Sequence, residues 1–127
     1  MYTISKQFTF SASHQLLNLP ESHPCHRLHG HNYIVEVELQ SKRLDATGFV
    51  LDYNELDELK NFIDDTLDHR HLNEVFGHDD VTAENLARYL YDWAKQKWSQ
   101  VSALRVSETP KTWAEYRPQP QATVQLI

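Results

Sequence analysis

Internal disulfide bonds are excluded at the outset, because the chain carries one cysteine in 127 residues. A scaffold held by internal cross-links is not available to it, and the chain reads as one made for a reducing compartment. Long apolar runs are also missing. Nothing approaches membrane-spanning length, and the opening MYTISKQFTF has no apolar stretch of the signal-peptide kind. We therefore expect a cytoplasmic protein with no membrane partner. Excess positive charge is absent as well: a formal net charge of −6 offers no general basic face to nucleic acid. Only three glycines and five prolines occur, without repeats or low-complexity tracts, and only RPQPQ (117–121) reads as a loop or linker. What remains is an ordinary globular composition, 40% hydrophobic and 24% charged, at a length suited to one domain spanning 1–127.

The hydrophobic pattern alternates first with period two. Tyr2, Ile4, Phe8, Phe10, Ala12 and His14 fall on one face of a strand, interrupted by Lys6. From His29, the positions His29, His31, Tyr33, Val35, Val37 and Leu39 form a second apolar face, with Asn32, Glu36, Glu38 and Gln40 opposite. The spacing then changes to that of a helix. One helix is expected over Tyr53–Thr66, with Asp52 as N-cap and a stripe of Leu56, Leu59, Ile63 and Leu67. A second is expected over Ala83–Trp98, capped by Thr82, with Leu86, Leu90, Trp93 and Lys97 on one side. Strands are expected at Ala103–Thr109 and Ala122–Ile127. The order ββααββ predicts an α+β fold, an antiparallel sheet with two helices on one face.

The unusual chemistry lies in CHRLHGH, residues 25–31. His29 and His31 are two apart, so on a strand their rings share a side. On a helix they would point roughly 200° apart. His14 ends the apolar face of the preceding strand, so three imidazoles can meet at one end of the buried side. A single histidine in such a place is more often a hydrogen-bonded core or surface residue. Three with this parity favour a metal, and three nitrogen ligands with an open position are the pattern of catalytic zinc.

Cys25 has two readings. It can complete a closed, structural tetrahedral site, or it can act as a base or nucleophile near the metal charge. His23 and His26 read as loop histidines. In LDHRHLN (67–73), Asp68 is placed to orient an imidazole, and spacing does not choose between His69 and His71. In LRVSETPKTWAEY (104–116), Glu108 sits where an apolar face runs out. It is either a solvated strand end or an acceptor for a guanidine-like pair of N–H donors.

FSASH, CHRLHGHNY, GFVLDYNEL, LDHRHLN, TAENLA and ETPKTWAEY occur in one order along nearly the whole chain. In this the sequence resembles the 6-pyruvoyltetrahydropterin synthase / 6-carboxytetrahydropterin synthase family. The resemblance implies the tunnelling fold (T-fold), whose ββααββ subunits join sheets into a barrel in trimers, two trimers stacking as a homohexamer. It makes His14, His29 and His31 ligands of Zn2+ and Cys25 the catalytic base. It makes Asp68 and His69 the proton-transfer partners and Glu108 the anchor of the pterin's pyrimidine edge. His71 matches no catalytic position. Family sites lie between subunits.

Three residues separate Cys25 from His29. This spacing resembles the bacterial 6-carboxytetrahydropterin synthases of the queuosine (7-deazaguanine) pathway, whereas the pyruvoyl branch typically has a longer insertion. The implied substrate is 7,8-dihydroneopterin triphosphate, and the implied products are 6-carboxy-5,6,7,8-tetrahydropterin, acetaldehyde and triphosphate. Arg27, beside the site in sequence, is the candidate triphosphate contact. The competing readings are a pyruvoyl synthase or substrate-shifted paralogue, a metal-free dihydroneopterin aldolase of the same fold, and a non-catalytic zinc protein with Cys25 as fourth ligand.

Overall fold

A computed structural model of the protein describes residues 1–118. Strand β1 spans Tyr2–His14 and β2 spans His29–Ser41. They pair antiparallel along their whole length, with Tyr2 opposite Ser41 and His14 opposite His29. Because alternate side chains share a face, this register puts Phe8, Phe10, Ala12 and His14 of β1 beside Val35, Tyr33, His31 and His29 of β2. A slip of one residue would turn the histidines to the opposite side.

Helix α1 covers Asp57–Thr66 and is entered through a 3-10 turn at Tyr53–Leu56, where the Asp52 carboxylate accepts from the Asn54 N–H at 2.9 Å. Lys6, which interrupts the β1 pattern, carries its ammonium out to Asp57 at 3.1 Å. Two short elements follow: β3, Arg70–His71, and α2, Leu72–Phe76. Helix α2 ends at Gly77, whose φ of 70° suits the left-handed cap that glycine adopts without strain. Helix α3 covers Ala83–Lys97, and Thr82 caps it by accepting from the Asn85 N–H at 3.3 Å. Strands β4, Val101–Thr109, and β5, Thr112–Tyr116, complete the described chain.

The sheet is five-stranded, ordered β3-β1-β2-β4-β5. One core, including Leu56, Leu59, Ile63, Leu86, Leu90 and Leu104, fills the space between the helices and one sheet face. The other face is polar. There Arg105 bonds Glu36, Glu38 and Glu115, and Arg117 bonds Glu38 and Glu115. Among the described residues no helix is long and apolar enough to cross a membrane.

The α+β class and the helix-on-sheet layering agree with the sequence reading, but four details differ. Ahead of α1, Tyr53–Leu56 is 3-10 rather than α-helical. Strand β3 and helix α2 are additional, and β3 runs parallel to β1 at Ala12 and Ser13. Two and five residues are too few to display a period, so neither element announces itself in the pattern. Strand β5 occupies TWAEY, which the sequence reading left unassigned, because a hairpin after Thr109 turns the chain straight back onto β4. The expected strand at Ala122–Ile127 lies outside the described residues.

Candidate active site

The β1/β2 register brings His14, His29 and His31 together. Their ring centroids are 4.5, 5.1 and 4.9 Å apart, and one ring nitrogen from each lies within 4.8 Å of the others. His14 is fully buried, while His29 and His31 are half-buried at the rim. Main-chain carbonyls orient two of the rings: His14 Nδ1 meets Val81 O at 2.9 Å, and His29 Nδ1 meets Arg27 O at 2.6 Å. A carbonyl only accepts, so each Nδ1 carries the proton and each Nε2 presents a lone pair.

Those two Nε2 atoms face one another at 2.9 Å. With neutral rings, two lone pairs at this distance repel unless a proton or a cation lies between them. Burial pushes the His14 and His31 imidazoles below their ordinary pKa, against the opposing pull of Glu108, which disfavours the proton. Neutral imidazoles fixed through Nδ1 are what a divalent metal requires, and zinc takes such nitrogen donors. The residues therefore fit a metal bound by three nitrogens. Among the described residues the cluster consists of these three histidines, and Cys25 is not part of it. A closed four-ligand site is thus not what this geometry presents.

Glu108, near the end of β4, lies with Oε2 3.8 Å from His31 Nε2. It lines a cavity of about 230 Å³ with Leu16, Thr82, Glu84, Val106 and Trp113. A half-buried carboxylate among the apolar Leu16, Val106 and Trp113 and the polar Thr82 and Glu84 suits a flat heterocycle with paired N–H donors. Tyr33 went unassigned in the sequence reading beyond its place in the apolar stripe. It is fully buried, stacks on Phe10 at 4.7 Å, and sets its hydroxyl 3.3 Å from His14 Nδ1. Burial holds its phenol well above the ordinary pKa, so it stays a neutral group behind the histidines. Its parity with His29 and His31 was the available signal. Val81, by contrast, acts through its carbonyl, which no side-chain pattern reveals.

Cys25 lies half-buried in a 3-10 turn, Pro24–His26. The turn is tied down by Leu16 N–H donating to Cys25 O at 2.9 Å and by Cys25 N–H donating to His23 Nδ1 at 3.1 Å. His26 Nδ1 meets Leu19 O at 2.9 Å, so both loop histidines brace the turn. Arg27 is exposed and contributes its carbonyl to His29.

Asp68 and His69 form the expected pair, with Asp68 Oδ2 2.8 Å from His69 Nδ1. The other carboxylate oxygen accepts from the Ser11 N–H at 2.9 Å, and that bond and His69 hold the carboxyl below its ordinary pKa. His69 adopts φ 59°, a left-handed conformation that costs a non-glycine residue roughly 1–2 kcal/mol. Its N–H donates to Ser11 O at 2.6 Å, and its side chain is 81% exposed. The pair hangs from β1 beside Ser11, whose side chain alternates away from His14. Among the described residues no hydrogen bond or ion pair joins it to the histidine cluster. His71 instead bonds Ser13 Oγ through Nδ1 at 2.9 Å.

Known proteins share both sequence and fold with this chain. Residues 3–119 match the family model of 6-pyruvoyl tetrahydropterin synthase. A 6-carboxy-5,6,7,8-tetrahydropterin synthase of Synechocystis is 34% identical, with 88% of each chain covered. A 6-pyruvoyl tetrahydrobiopterin synthase of Drosophila melanogaster is also 34% identical, over 90% of this chain and 78% of its own. The solved structure of Caenorhabditis elegans 6-pyruvoyl tetrahydropterin synthase superposes with a TM-score of 0.81 at 29% identity, covering 93% of this chain and 96% of that one. With fold and motif order in agreement over nearly its whole length, the chain belongs to the 6-pyruvoyl tetrahydropterin synthase family, as one of its pterin lyases.

Proposed function

We propose that the protein is a zinc-dependent 6-carboxytetrahydropterin synthase. It converts 7,8-dihydroneopterin triphosphate and water to 6-carboxy-5,6,7,8-tetrahydropterin, acetaldehyde and triphosphate, in queuosine (7-deazaguanine) biosynthesis. The observation that carries the reading is the facing pair of Nε2 atoms of His14 and His29 at 2.9 Å, with His31 beside them and Glu108 3.8 Å beyond. His14, His29 and His31 hold the zinc. When bound, zinc would supply Lewis acidity that acidifies the carbon-bound proton of the substrate side chain.

Glu108 accepts two N–H bonds from the pyrimidine edge and so fixes the direction of the side chain. Cys25 takes the carbon-bound proton as general base. His69, oriented through Nδ1 by Asp68, returns protons from its outward nitrogen. Arg27 contacts the triphosphate. Because Asp68 and His69 sit at the edge of β1 with no hydrogen bond or ion pair to the histidine cluster among the described residues, we assign them to the site of a second copy. We accordingly propose a cytoplasmic homohexamer of single-domain chains, residues 1–127, with active sites between subunits. The edge of β1, covered by β3 only at Ala12 and Ser13, is open for that pairing.

Identity does not separate the carboxy and pyruvoyl relatives, since the two cited above stand equally close. The short Cys25–His29 connection carries the choice. It tethers the thiol close to the first ligand of β2, and a displacement of about 1 Å can cost orders of magnitude in rate. Incubation with 7,8-dihydroneopterin triphosphate, with acetaldehyde coupled to a reporter dehydrogenase, tests it. Acetaldehyde and a one-carbon carboxylate on the pterin are expected. Triphosphate release without acetaldehyde, leaving a three-carbon side chain, assigns the protein to the pyruvoyl branch instead.

A further inference from the structure

An open groove of about 590 Å³ lies at the β1 edge. Its lining includes Ser13, His31, Asn32, His69, Arg70 and His71, and no carboxylate. In a chain of net charge −6 a recess this size without an acidic side chain is unusual. Asp68, the nearest candidate, has its oxygens engaged by the Ser11 N–H and by His69 Nδ1. Glu74 lines a separate recess on the other side of Arg70 and His71.

The groove is instead rich in donors. Arg70 uses one Nη2–H on the Asp65 carbonyl, at 3.0 Å, and its guanidinium carries five N–H donors in all. Ser11 Oγ donates to Asn32 Oδ1 at 2.7 Å, which turns the amide NH₂ of Asn32 outward as a donor. Ser13 Oγ lies 2.9 Å from His71 Nδ1. When the hydroxyl donates, the tautomer places the remaining proton on Nε2, a further donor that an anion would select.

We infer that this groove, centred on Arg70 and His71, binds a polyphosphate, namely the triphosphate tail of the substrate. The assignment of the tail rests on the function proposed above; the anion chemistry rests on the groove alone. The substrate's own order of parts supports the placement. Its pyrimidine edge lies at one end, the carbons that react lie in the middle, and the triphosphate hangs from the last carbon of the side chain. A residue that returns protons to the middle therefore stands between the pterin anchor and the phosphates. Arg70 and His71 follow His69 directly, line one groove with it, and travel with it into whichever site it serves. A bidentate guanidinium suits phosphate oxygens, and strand-edge hydroxyls complete the cradle.

Calorimetric titration of the zinc-loaded protein with inorganic triphosphate, orthophosphate and phosphate-free 7,8-dihydroneopterin tests this. Triphosphate is expected to bind at least ~10-fold more tightly than orthophosphate, since it spans several donors. Arg70→Ala and His71→Ala should each weaken triphosphate about tenfold, with Arg70→Lys recovering part of the loss. Neither should change the affinity for dihydroneopterin, and because Arg70 is exposed the melting temperature of Arg70→Ala should match the wild type. Unchanged triphosphate affinity in the double variant overturns the inference, as does orthophosphate binding as tightly as triphosphate. If triphosphate binding follows Arg70 while the wild type ignores dihydroneopterin, the groove stands and the pterin reading falls.

Discussion

Replacing each ligand histidine by alanine should abolish metal binding equally but damage the fold unequally. His14 is fully buried and bonds the Val81 carbonyl at 2.9 Å, with the Tyr33 hydroxyl 3.3 Å from the same nitrogen. His14→Ala removes that hydrogen bond, worth about 1 kcal/mol net, and leaves a buried carbonyl unpaired at a cost of about 1–3 kcal/mol. The void left by the ring adds roughly 1 kcal/mol or more, because a packed core collapses only in part. A metal-free loss of about 3–5 kcal/mol follows, which at this chain length lowers the melting temperature by roughly 10–20 °C. His31 has no such anchor and keeps 19% of its side chain exposed, so His31→Ala should cost only about 1 kcal/mol without metal. The assay is zinc content by mass spectrometry together with melts in zinc and in excess chelator. The wild type should melt lower in chelator, since a ligand that binds only the folded state stabilises it, by about 2.7 kcal/mol at a hundred times its Kd. The three variants should not respond to chelator, and in chelator His14→Ala should melt lowest. Full zinc in two of the three variants refutes the cluster. Equal chelator melts for His14→Ala and His31→Ala refute the buried anchoring of His14.

Cys25→Ala should keep zinc near one per chain and still bind dihydroneopterin while kcat falls by about two to four orders of magnitude, as for loss of a general base; zinc loss in this variant would make the cysteine a ligand. Glu108→Gln should raise KM and lower kcat together, because the amide accepts one N–H bond but opposes the second with a donor; unchanged kinetics would return Glu108 to an ordinary strand end. Glu38 gives the pH prediction. Hydrogen bonds from Arg117, and then from Arg105 and Ser102, outweigh burial and lower its pKa from 4.5 to about 2. The folded state therefore holds this proton less tightly than the unfolded chain. The resulting stability is present above about pH 4.5 and is lost as pH falls toward 2. Glu38→Gln should flatten that part of the stability–pH curve, measured by denaturant midpoints, and a wild-type slope retained in the variant would refute it.

What was legible follows from how far each contact reaches along the chain. Strand β1 ends at His14 as the alternation implied, and β2 begins at His29, because a half-buried strand writes its environment into every second residue. The same rule placed the histidines, since parity alone decides which face a ring joins. The caps Asp52 and Thr82 were legible for a similar local reason. Lys97 was read as part of the apolar side of its helix, but it is exposed and reaches Glu58 at 3.4 Å, lying over the Trp93 ring. A long aliphatic stem covers apolar surface while its charge stays in water, and the pattern cannot separate the two. Strand β3 depends on main-chain pairing with β1, 58 residues away between Ser13 and His71, and carries no side-chain signature.

Position 69 is where local preference and structure part. A φ of 59° favours glycine or asparagine, and a histidine there is held against its own backbone energy. Two bonds to the main chain of one residue supply the restraint: His69 N–H to Ser11 O, and Ser11 N–H to the Asp68 carboxylate. The carboxylate that bonds Ser11 also bonds the imidazole, so a single group fixes the edge of the sheet, the unusual backbone and the ring nitrogen facing inward. Among the described residues the other ring nitrogen makes no hydrogen bond, and the side chain is 81% exposed. A purely structural turn would gain stability from glycine at this position. The proton-returning role proposed for His69 requires a ring fixed at one nitrogen and free at the other, and the Asp68 contact with 81% side-chain exposure supplies both.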